Sequence, residues 1–190
     1  MRIIVGISGA SGAVYGWRLL AVLRQAGCEV HVVVSEHGWE VLAHECKVGR
    51  NEIAGLVHRL YDNVDTGAAL ASGSFKTDAM VVAPCSMRSL GAIANGLADN
   101  LLVRAADVTI KENRKLILVP RETPLSVIHL DNMLKLAQIG VRIMPASPGF
   151  YHNPPDLPSL VDMMVGKVCD MLGIDHDLFK RWEGPTAREG

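Results

Sequence analysis

The sequence lacks the features that mark several large classes of protein. Among its 190 residues, no apolar run approaches the roughly 20 residues that a membrane-spanning helix needs. Aromatic residues make up only 5%, which leaves little material for stacking nucleic-acid bases. A formal net charge of -1 provides no attraction to nucleic acid or to an anionic membrane. We therefore expect neither nucleic acid nor a membrane as a partner.

The sequence contains only four cysteines, and their spacing forms no motif. Cys28, Cys46, Cys85 and Cys169 are widely scattered, and no two of them form a C-x-x-C pair. Reduced thiols are expected rather than two disulfides. The N-terminal segment carries one positive charge and a short apolar run cut by glycine and serine, which indicates a first strand rather than a signal peptide. We expect a cytoplasmic protein.

Several catalytic motifs are also missing. The seven histidines show no H-E-x-x-H spacing, and no Asp-rich D-D-x-x-D pair is present to hold Mg²⁺ on a diphosphate. No metal site is therefore predicted. The absence of a G-x-S-x-G elbow argues against a serine hydrolase, and the absence of G-x-x-x-x-G-K-[ST] argues against a P-loop nucleotide hydrolase.

What the sequence does contain is a regular alternation of strand and helix patterns. Hydrophobic residues make up 49%, enough for a large core. Apolar, β-branched runs predict strands over 3–7, 29–35, 79–83, 116–119 and 141–144. Helical spacing predicts helices over 12–26, 37–46, 51–57, 88–94, 99–112, 126–139 and 159–172. The alternation predicts a three-layer α/β fold, a mostly parallel sheet flanked by helices. We expect one domain over 1–190, with a core of about 1–172 and a tail of 173–190.

A glycine-rich turn follows the first predicted strand. Its glycines fall at Gly6, Gly9 and Gly12, so the turn does not match the G-x-G-x-x-G dinucleotide fingerprint. No acidic residue ends the second strand to hold a ribose, since Ser35 stands there and Glu36 follows. Two interpretations stay open: a tight turn that serves only close helix packing, or a site for a mononucleotide such as FMN.

Two further strand ends carry polar residues, where an open α/β sheet binds its ligands. The segment Pro84–Ser89 contains Ser86, which either contacts a cofactor or simply caps the next helix. Cys85 is interpreted as a buried structural residue rather than a nucleophile. Arg121 and Glu122 are predicted to point into the cleft, Arg121 to bind phosphate and Glu122 to relay a proton or orient Arg121.

A pair of cations marks the helix predicted over 99–112. Arg104 and Lys111 are seven residues apart, about two helical turns, and so share a face. Asp107 lies between them and could pair with either. The face is either a solvated, salt-bridged surface or part of a phosphate site.

Taken together, these segments resemble the flavin prenyltransferase family, the UbiX-like proteins, which include small subunits named with phenolic-acid or aromatic-acid decarboxylases. The resemblance covers nearly the whole chain and rests on these segments: 6–12 (GISGASG), 72–75 (SGSF), 84–86 (PCS), 104–108 (RAADV), 111–112 (KE), 119–124 (VPRETP) and 148–152 (PGFYH).

The resemblance implies a Rossmann-like or flavodoxin-like domain that binds FMN and assembles into a homododecamer. Family members join a dimethylallyl group, usually from dimethylallyl monophosphate, to N5 and C6 of reduced FMN without a metal. The prenylated FMN then serves a separate decarboxylase.

The resemblance also implies a set of site residues. Those expected around FMN are Gly9, Ala10, Ser11, Ser35, Ser86, Met87, Arg88, Ser89 and Arg121. Those expected to bind dimethylallyl phosphate are Arg104, Lys111, Glu122, Tyr151 and Lys167, the last a position that is often arginine in the family. Ser11, Glu45 and Glu122 are the candidate catalytic residues.

Two rival functions remain. One is an FMN-binding accessory subunit of an aromatic-acid decarboxylase, without turnover of its own. The other is a flavin-dependent decarboxylase of peptidyl-cysteine, which should show a histidine early in the first helix region. Tyr15, Gly16 and Trp17 occupy that region here, and no histidine precedes His31.

Overall fold

The computed structural model describes residues 1–184 and divides into two compact units, residues 1–146 and the segment from residue 147 onward. Each unit is described by itself below. The last six residues of the predicted tail, 185–190, lie outside the described residues. No helix among residues 1–184 combines the length and the apolar character needed to cross a membrane.

The first unit is built on six strands that form one sheet. The strands are β1 (Arg2–Ile7), β2 (Glu29–Val34), β3 (Arg59–Tyr61), β4 (Ala79–Cys85), β5 (Lys115–Pro120) and β6 (Arg142–Ile143). Their order is β3-β2-β1-β4-β5-β6, and every neighbouring pair is parallel. This confirms the predicted α/β fold. It also decides between two related topologies, because this order is that of the Rossmann fold and not that of flavodoxin.

Seven α-helices accompany these strands along the described chain. They are α1 (Ala13–Gln25), α2 (Glu36–Val41), α3 (Arg50–Leu56), α4 (Met87–Ala94), α5 (Leu101–Lys111), α6 (Val127–Gln138) and α7 (Leu157–Leu172). The helix predicted over 37–46 is in fact α2 followed by a π-helical turn, Leu42–Cys46. The prediction missed β3, because three residues at a sheet edge are too few to show a two-residue period.

The sheet is covered on both faces, as its buried strands require. All seven residues of β4 are buried. Neighbouring residues of β1 point to opposite sides, Gly6 toward Leu102 of α5 and Ile7 toward Gly16 of α1. Burial of one leucine such as Leu102 stabilises the fold by about 1.5–3 kcal/mol, so both helix layers contribute strongly to the core.

Helix α1 packs unusually close to the sheet. A Cβ atom on Gly16 would lie 2.2 Å from the backbone oxygen of Ala83, well inside van der Waals contact. Glycine at position 16 therefore lets α1 lie directly against the end of β4. Since β4 pairs with β1, the strand that leads into α1, this contact holds the turn between β1 and α1 in place.

The second unit consists of α7 and the segment that follows it. The Asp156 carboxylate accepts a hydrogen bond from the Ser159 amide at 2.9 Å and caps the start of α7. The helix ends at Gly173, which has a φ of 76°. The chain then folds back, so that His176 and Phe179 lie against Gly166 of the helix.

Candidate functional site

A cleft opens at the carboxyl ends of the strands, where β1 and β4 lie side by side and the strand order reverses. Its volume is about 390 Å³, within the range of small-molecule sites. Five predicted FMN contacts line it: Gly9, Ser35, Ser86, Arg88 and Ser89. The other lining residues are Glu36, His37, Asn63, Ala92, Leu97, Asp99, Asn100, Leu102 and Val103.

Ser8 links the two sides of the switch point, the place between β1 and β4 where the strand order reverses. Its hydroxyl donates to the Pro84 carbonyl at 2.9 Å and accepts from the Ser86 amide at 2.7 Å. The Ser8 residue is fully buried. The hydroxyl of Ser8 therefore serves the fold, tying the glycine turn after β1 to the loop after β4, and it does not face the cleft.

Gly9 brings the glycine turn against α2. A Cβ atom there would lie 2.5 Å from the Cβ of His37, so a side chain could not be accommodated without moving α2. Ser35 precedes α2, and its hydroxyl accepts a hydrogen bond from the Gly38 amide at 3.0 Å. This close packing places the backbone of Gly9 at the wall of the cleft.

Ser86 is both a helix cap and a cleft residue, so the two interpretations of the Pro84–Ser89 segment are compatible. Its hydroxyl accepts from the Ser89 amide at 3.3 Å and lies 3.2 Å from the Ser89 hydroxyl. The start of α4, with its positive dipole end and the Arg88 side chain, adjoins the same space. An anionic group of a ligand is favoured there.

Glu45 occupies the start of α1. Its carboxylate accepts from the Ser11 hydroxyl at 2.6 Å and from two backbone amides, Gly12 and Ala13, each at 2.9 Å. Partial burial raises the pKa of Glu45, but these hydrogen bonds outweigh it and hold the pKa below the ordinary value. A carboxylate thus fills the position in which a dinucleotide-binding protein holds a phosphate, which explains why the glycine turn departs from that fingerprint.

Arg121 and Glu122 follow β5 at the same edge of the sheet. Arg121 is exposed, and its positive charge is among the factors that lower the pKa of Glu45. Its amide donates to the Cys85 carbonyl at 3.4 Å, next to the loop that lines the cleft. The exposed Glu122 carboxylate accepts from the Thr123 amide at 3.0 Å. The charged pair therefore lies at the carboxyl edge, but neither residue is among those that line the cleft, into which the sequence predicts them to point.

The two cations of α5 lie at opposite ends of that helix. Arg104, in the first turn, pairs with Asp107 at 2.8 Å, and Lys111, at the last position, pairs with Glu112. Ten residues separate Leu101 from Lys111, or about 15 Å along the axis. Within a single chain, Arg104 therefore lies near the end of α5 that adjoins the cleft. Lys111 lies at the amino edge of the sheet, beside Gly73.

Cys85 has a structural role, as interpreted. The residue is fully buried, and burial raises the pKa of its thiol to about 12. A thiol with that pKa holds no thiolate at neutral pH and is not a nucleophile.

In the second unit, Tyr151 and Lys167 each have defined neighbours. The Tyr151 ring makes an edge contact with Trp182 at a centroid distance of 6.0 Å. Lys167 lies 3.6 Å from a carboxylate oxygen of Asp170, which also binds Arg181 at 2.8 Å. Both ring nitrogens of His152 are buried without a hydrogen-bond partner among the described residues.

Sequence reasoning missed several cleft residues. Asn63 is the clearest, because its backbone and side-chain oxygens accept from the Leu101 and Leu102 amides at 2.7 and 3.0 Å. It thereby fixes the start of α5 at the cleft. Asn63 lies in a polar stretch that the sequence predicts to be a connection between elements, and no local motif distinguishes this residue. Of the predicted FMN contacts, Ala10, Ser11, Met87 and Arg121 are not among the lining residues.

The residues present fit FMN. The cleft has the volume of a ligand site, a glycine backbone at its wall, and serine hydroxyls and Arg88 for a phosphate. Apolar side chains such as Leu102 and Val103 provide a surface for a flat ring. A dinucleotide fits less well, because Glu45 blocks the start of α1.

Comparison with known proteins agrees with this geometry. A family model described as Flavoprotein matches residues 1–174. The chain is 48% identical over 182 residues to the flavin prenyltransferase UbiX of Methanocaldococcus jannaschii, covering 96% of this chain and 98% of that protein.

Two solved structures are equally similar in fold. One is a dodecameric FMN-dependent UbiX-like decarboxylase from Escherichia coli O157:H7, with a TM-score of 0.95, 44% identity and coverage of 97% and 100% of the two chains. The other is AnUbiX (PadA1) in complex with FMN and dimethylallyl pyrophosphate, with a TM-score of 0.95, 40% identity and coverage of 97% and 98%. The chain belongs to the flavoprotein family and, within it, to the UbiX-like flavin prenyltransferases.

Proposed function

We propose that this protein is a flavin prenyltransferase, which joins the dimethylallyl group of dimethylallyl phosphate to N5 and C6 of reduced FMN. The observation that carries the proposal is the cleft at the β1/β4 switch point, lined by Gly9, Ser35, Ser86, Arg88 and Ser89. The high identity to curated flavin prenyltransferases along the whole chain supports the same activity. Prenylated FMN would then serve a partner decarboxylase.

Reduced FMN supplies the two nucleophilic positions of the reaction, N5 and C6. Around it, the chain contributes the backbone of Gly9 and the hydroxyls of Ser35 and Ser86 as hydrogen-bonding groups. Arg88 and Arg121 supply positive charge. The remaining assignments, Ala10, Ser11, Met87 and Ser89, rest on the family resemblance.

The chain must also hold the phosphate that leaves the prenyl group. Cations stabilise the charge that develops as the C–O bond breaks, and we assign Arg104 and Arg121 to that role. Tyr151 and Lys167 are assigned to the same phosphate from the resemblance. Lys111 lies at the far end of α5, so we assign it to the site of a neighbouring copy in an assembly.

Proton transfer requires a carboxylate at the reacting centre. Two bonds form at N5 and C6, each of which loses a proton; one proton ends on the prenyl chain and the other is released. We assign Glu122 to this transfer, because its carboxylate is exposed at the carboxyl edge. Ser11 and Glu45, whose side chains are joined at 2.6 Å, are assigned to the same transfer from the family resemblance.

An assembly of identical chains follows from the same reasoning. Helix α6 exposes four large apolar side chains, Val127, Ile128, Leu130 and Leu134, each at least half accessible. A patch of this kind on one helix is typical of a contact between chains. We propose a homododecamer, as in the E. coli structure, and light scattering on the purified protein measures it.

We propose that residues 1–190 form one domain and that the protein acts in the cytoplasm. Reduced cysteines support a reducing compartment, since none of the four cysteines forms a disulfide within the described chain. Neither nucleic acid nor a membrane is a proposed partner.

The purified protein, mixed anaerobically with reduced FMN and dimethylallyl monophosphate, tests the proposal. We expect the flavin mass to increase by one C5 unit with release of phosphate, and a parallel reaction with the diphosphate identifies the preferred donor. An unchanged flavin mass with both donors, despite bound FMN, would contradict catalysis and favour the accessory-subunit alternative.

A further inference from the structure

A second group of polar side chains lies at the amino edge of the sheet, opposite the cleft. Glu29 and His31 are alternate residues of β2, so both project from the same face of that strand. His58 directly precedes β3, which pairs with β2, and its amide donates to the Val30 carbonyl at 2.9 Å. Two paired strands thus hold the three side chains together.

The ligand atoms of these residues form a compact set. The Nε2 atom of His31 lies 3.0 Å, and that of His58 3.8 Å, from the Oε1 atom of Glu29. One ligand atom from each residue lies within 4.8 Å of the other two. In a tetrahedral zinc site with bonds of about 2.0–2.2 Å, ligand atoms are about 3.3–3.6 Å apart. The His58 side chain is exposed, and its ring has to move to reach that spacing.

The surroundings of His31 are those of a metal ligand. Its side chain is 4% exposed, and its Nδ1 atom lies 2.9 Å from the Tyr61 hydroxyl. When Nε2 binds a metal, Nδ1 carries the proton and donates it to a neighbouring oxygen, here that of Tyr61.

Arg2 is the cation that occupies the cluster in this state. Its Nε atom lies 2.9 Å from Oε1 of Glu29, and its Nη1 atom donates to the Lys76 carbonyl at 2.9 Å. The second carboxylate oxygen can keep Arg2 when Oε1 takes a metal.

We propose that Glu29, His31 and His58 form a zinc site, with water as the fourth ligand. Two imidazoles and one carboxylate are a donor set that zinc binds well. The site is at the opposite edge of the sheet from the cleft of the same chain, and no step of prenyl transfer is assigned to it. Its effect is to join the edge strand β3 to β2, and thereby to stabilise the folded chain when zinc is present.

Calorimetric titration of the untagged, metal-free protein with zinc sulfate tests the proposal. We expect one zinc ion per chain in the wild type and an affinity at least about 100-fold lower in His58→Gln, since losing a ligand costs no less than losing an outer hydrogen-bond partner. His44→Gln, which removes an exposed histidine elsewhere, should leave the affinity unchanged. Absent binding, or equal affinity in His58→Gln, would overturn the site.

Cobalt substitution in the wild-type protein gives an independent measurement. Cys28 directly precedes Glu29 in the sequence, and its thiolate would compete with the proposed ligands for the metal. A cobalt spectrum without a thiolate charge-transfer band is expected for the nitrogen and oxygen ligands proposed. A thiolate band that disappears in Cys28→Ser would overturn the assignment. Zinc should also raise the melting temperature of the wild type but not of His58→Gln.

Discussion

At the carboxyl edge of the sheet, polar side chains face an open cleft, whereas at the amino edge they are already paired with one another. Ser86, Arg88 and Ser89 line the cleft beside the start of α4. At the other edge, Glu29 binds Arg2 and His31 directly. The difference arises because parallel strands feed helices whose N-termini all lie at the carboxyl edge, leaving unpaired amides there for a ligand.

The largest expected effect is the loss of catalysis at the carboxyl edge of the sheet. Glu122→Gln should keep FMN binding but lower the rate of prenyl transfer by about 100-fold or more, because proton transfer by a placed carboxylate contributes about 10²–10⁴-fold. Single-turnover rates by flavin mass, with FMN affinity measured separately, check this. Glu40→Gln, an exposed carboxylate on α2, is the matched control. A wild-type rate in Glu122→Gln would remove this residue from the mechanism.

A smaller effect concerns the backbone that supports the cleft. Gly16→Ala should destabilise the protein by about 3 kcal/mol, because the new Cβ would lie 2.2 Å from the Ala83 oxygen. Urea unfolding measures the loss. Gly55→Ala makes the same exchange on α3, where no atom lies within 4 Å, and should be neutral or slightly stabilising. Equal stability of the two variants would show that the contact of α1 with β4 relaxes freely.

The link across the switch point should matter somewhat less. Ser8→Ala leaves the partly buried Ser86 amide without its acceptor, removes a donor to the buried Pro84 carbonyl, and should cost about 1–3 kcal/mol of unfolding free energy. FMN affinity should fall as well, since Ser86 lines the cleft. The exposed hydroxyl of Ser74 provides the control, and Ser74→Ala is expected to change neither quantity measurably. If Ser8→Ala matches that control, the two loops do not depend on this hydroxyl.

The smallest effect is at the amino edge and depends on pH. The folded-state pKa of Glu29 is depressed from 4.5 to about 2, so its contribution to stability is full above pH 4.5. It is lost as the pH falls from 4.5 through about 2, and below that pH the carboxylate is protonated in both states. Unfolding free energies measured across that interval should show a shallower acid loss in Glu29→Gln than in the wild type. Identical slopes would contradict the pairing with Arg2.

The functional part of the carboxyl edge could be predicted from local sequence because its signals are local. Ser86 directly follows β4 and Glu122 lies two residues after β5; both strands are apolar and largely buried, so the edge of the sheet to which these residues belong is known once the strand is recognised. Other parts carry no such signal. Asn63 follows a three-residue strand, and its value as a cap for α5 depends on a segment 38 or more residues away.

Sequence by itself determined the strand–helix alternation, the residues at each strand end and the family. Tertiary structure decided which of these residues meet. It placed Glu45 on the start of α1, put Lys111 at the amino edge of the sheet beside Gly73, and brought His58 to Glu29 and His31. The physical reason is that strand and helix patterns depend on neighbours along the chain, whereas strand order and close packing bring together residues that no local spacing relates.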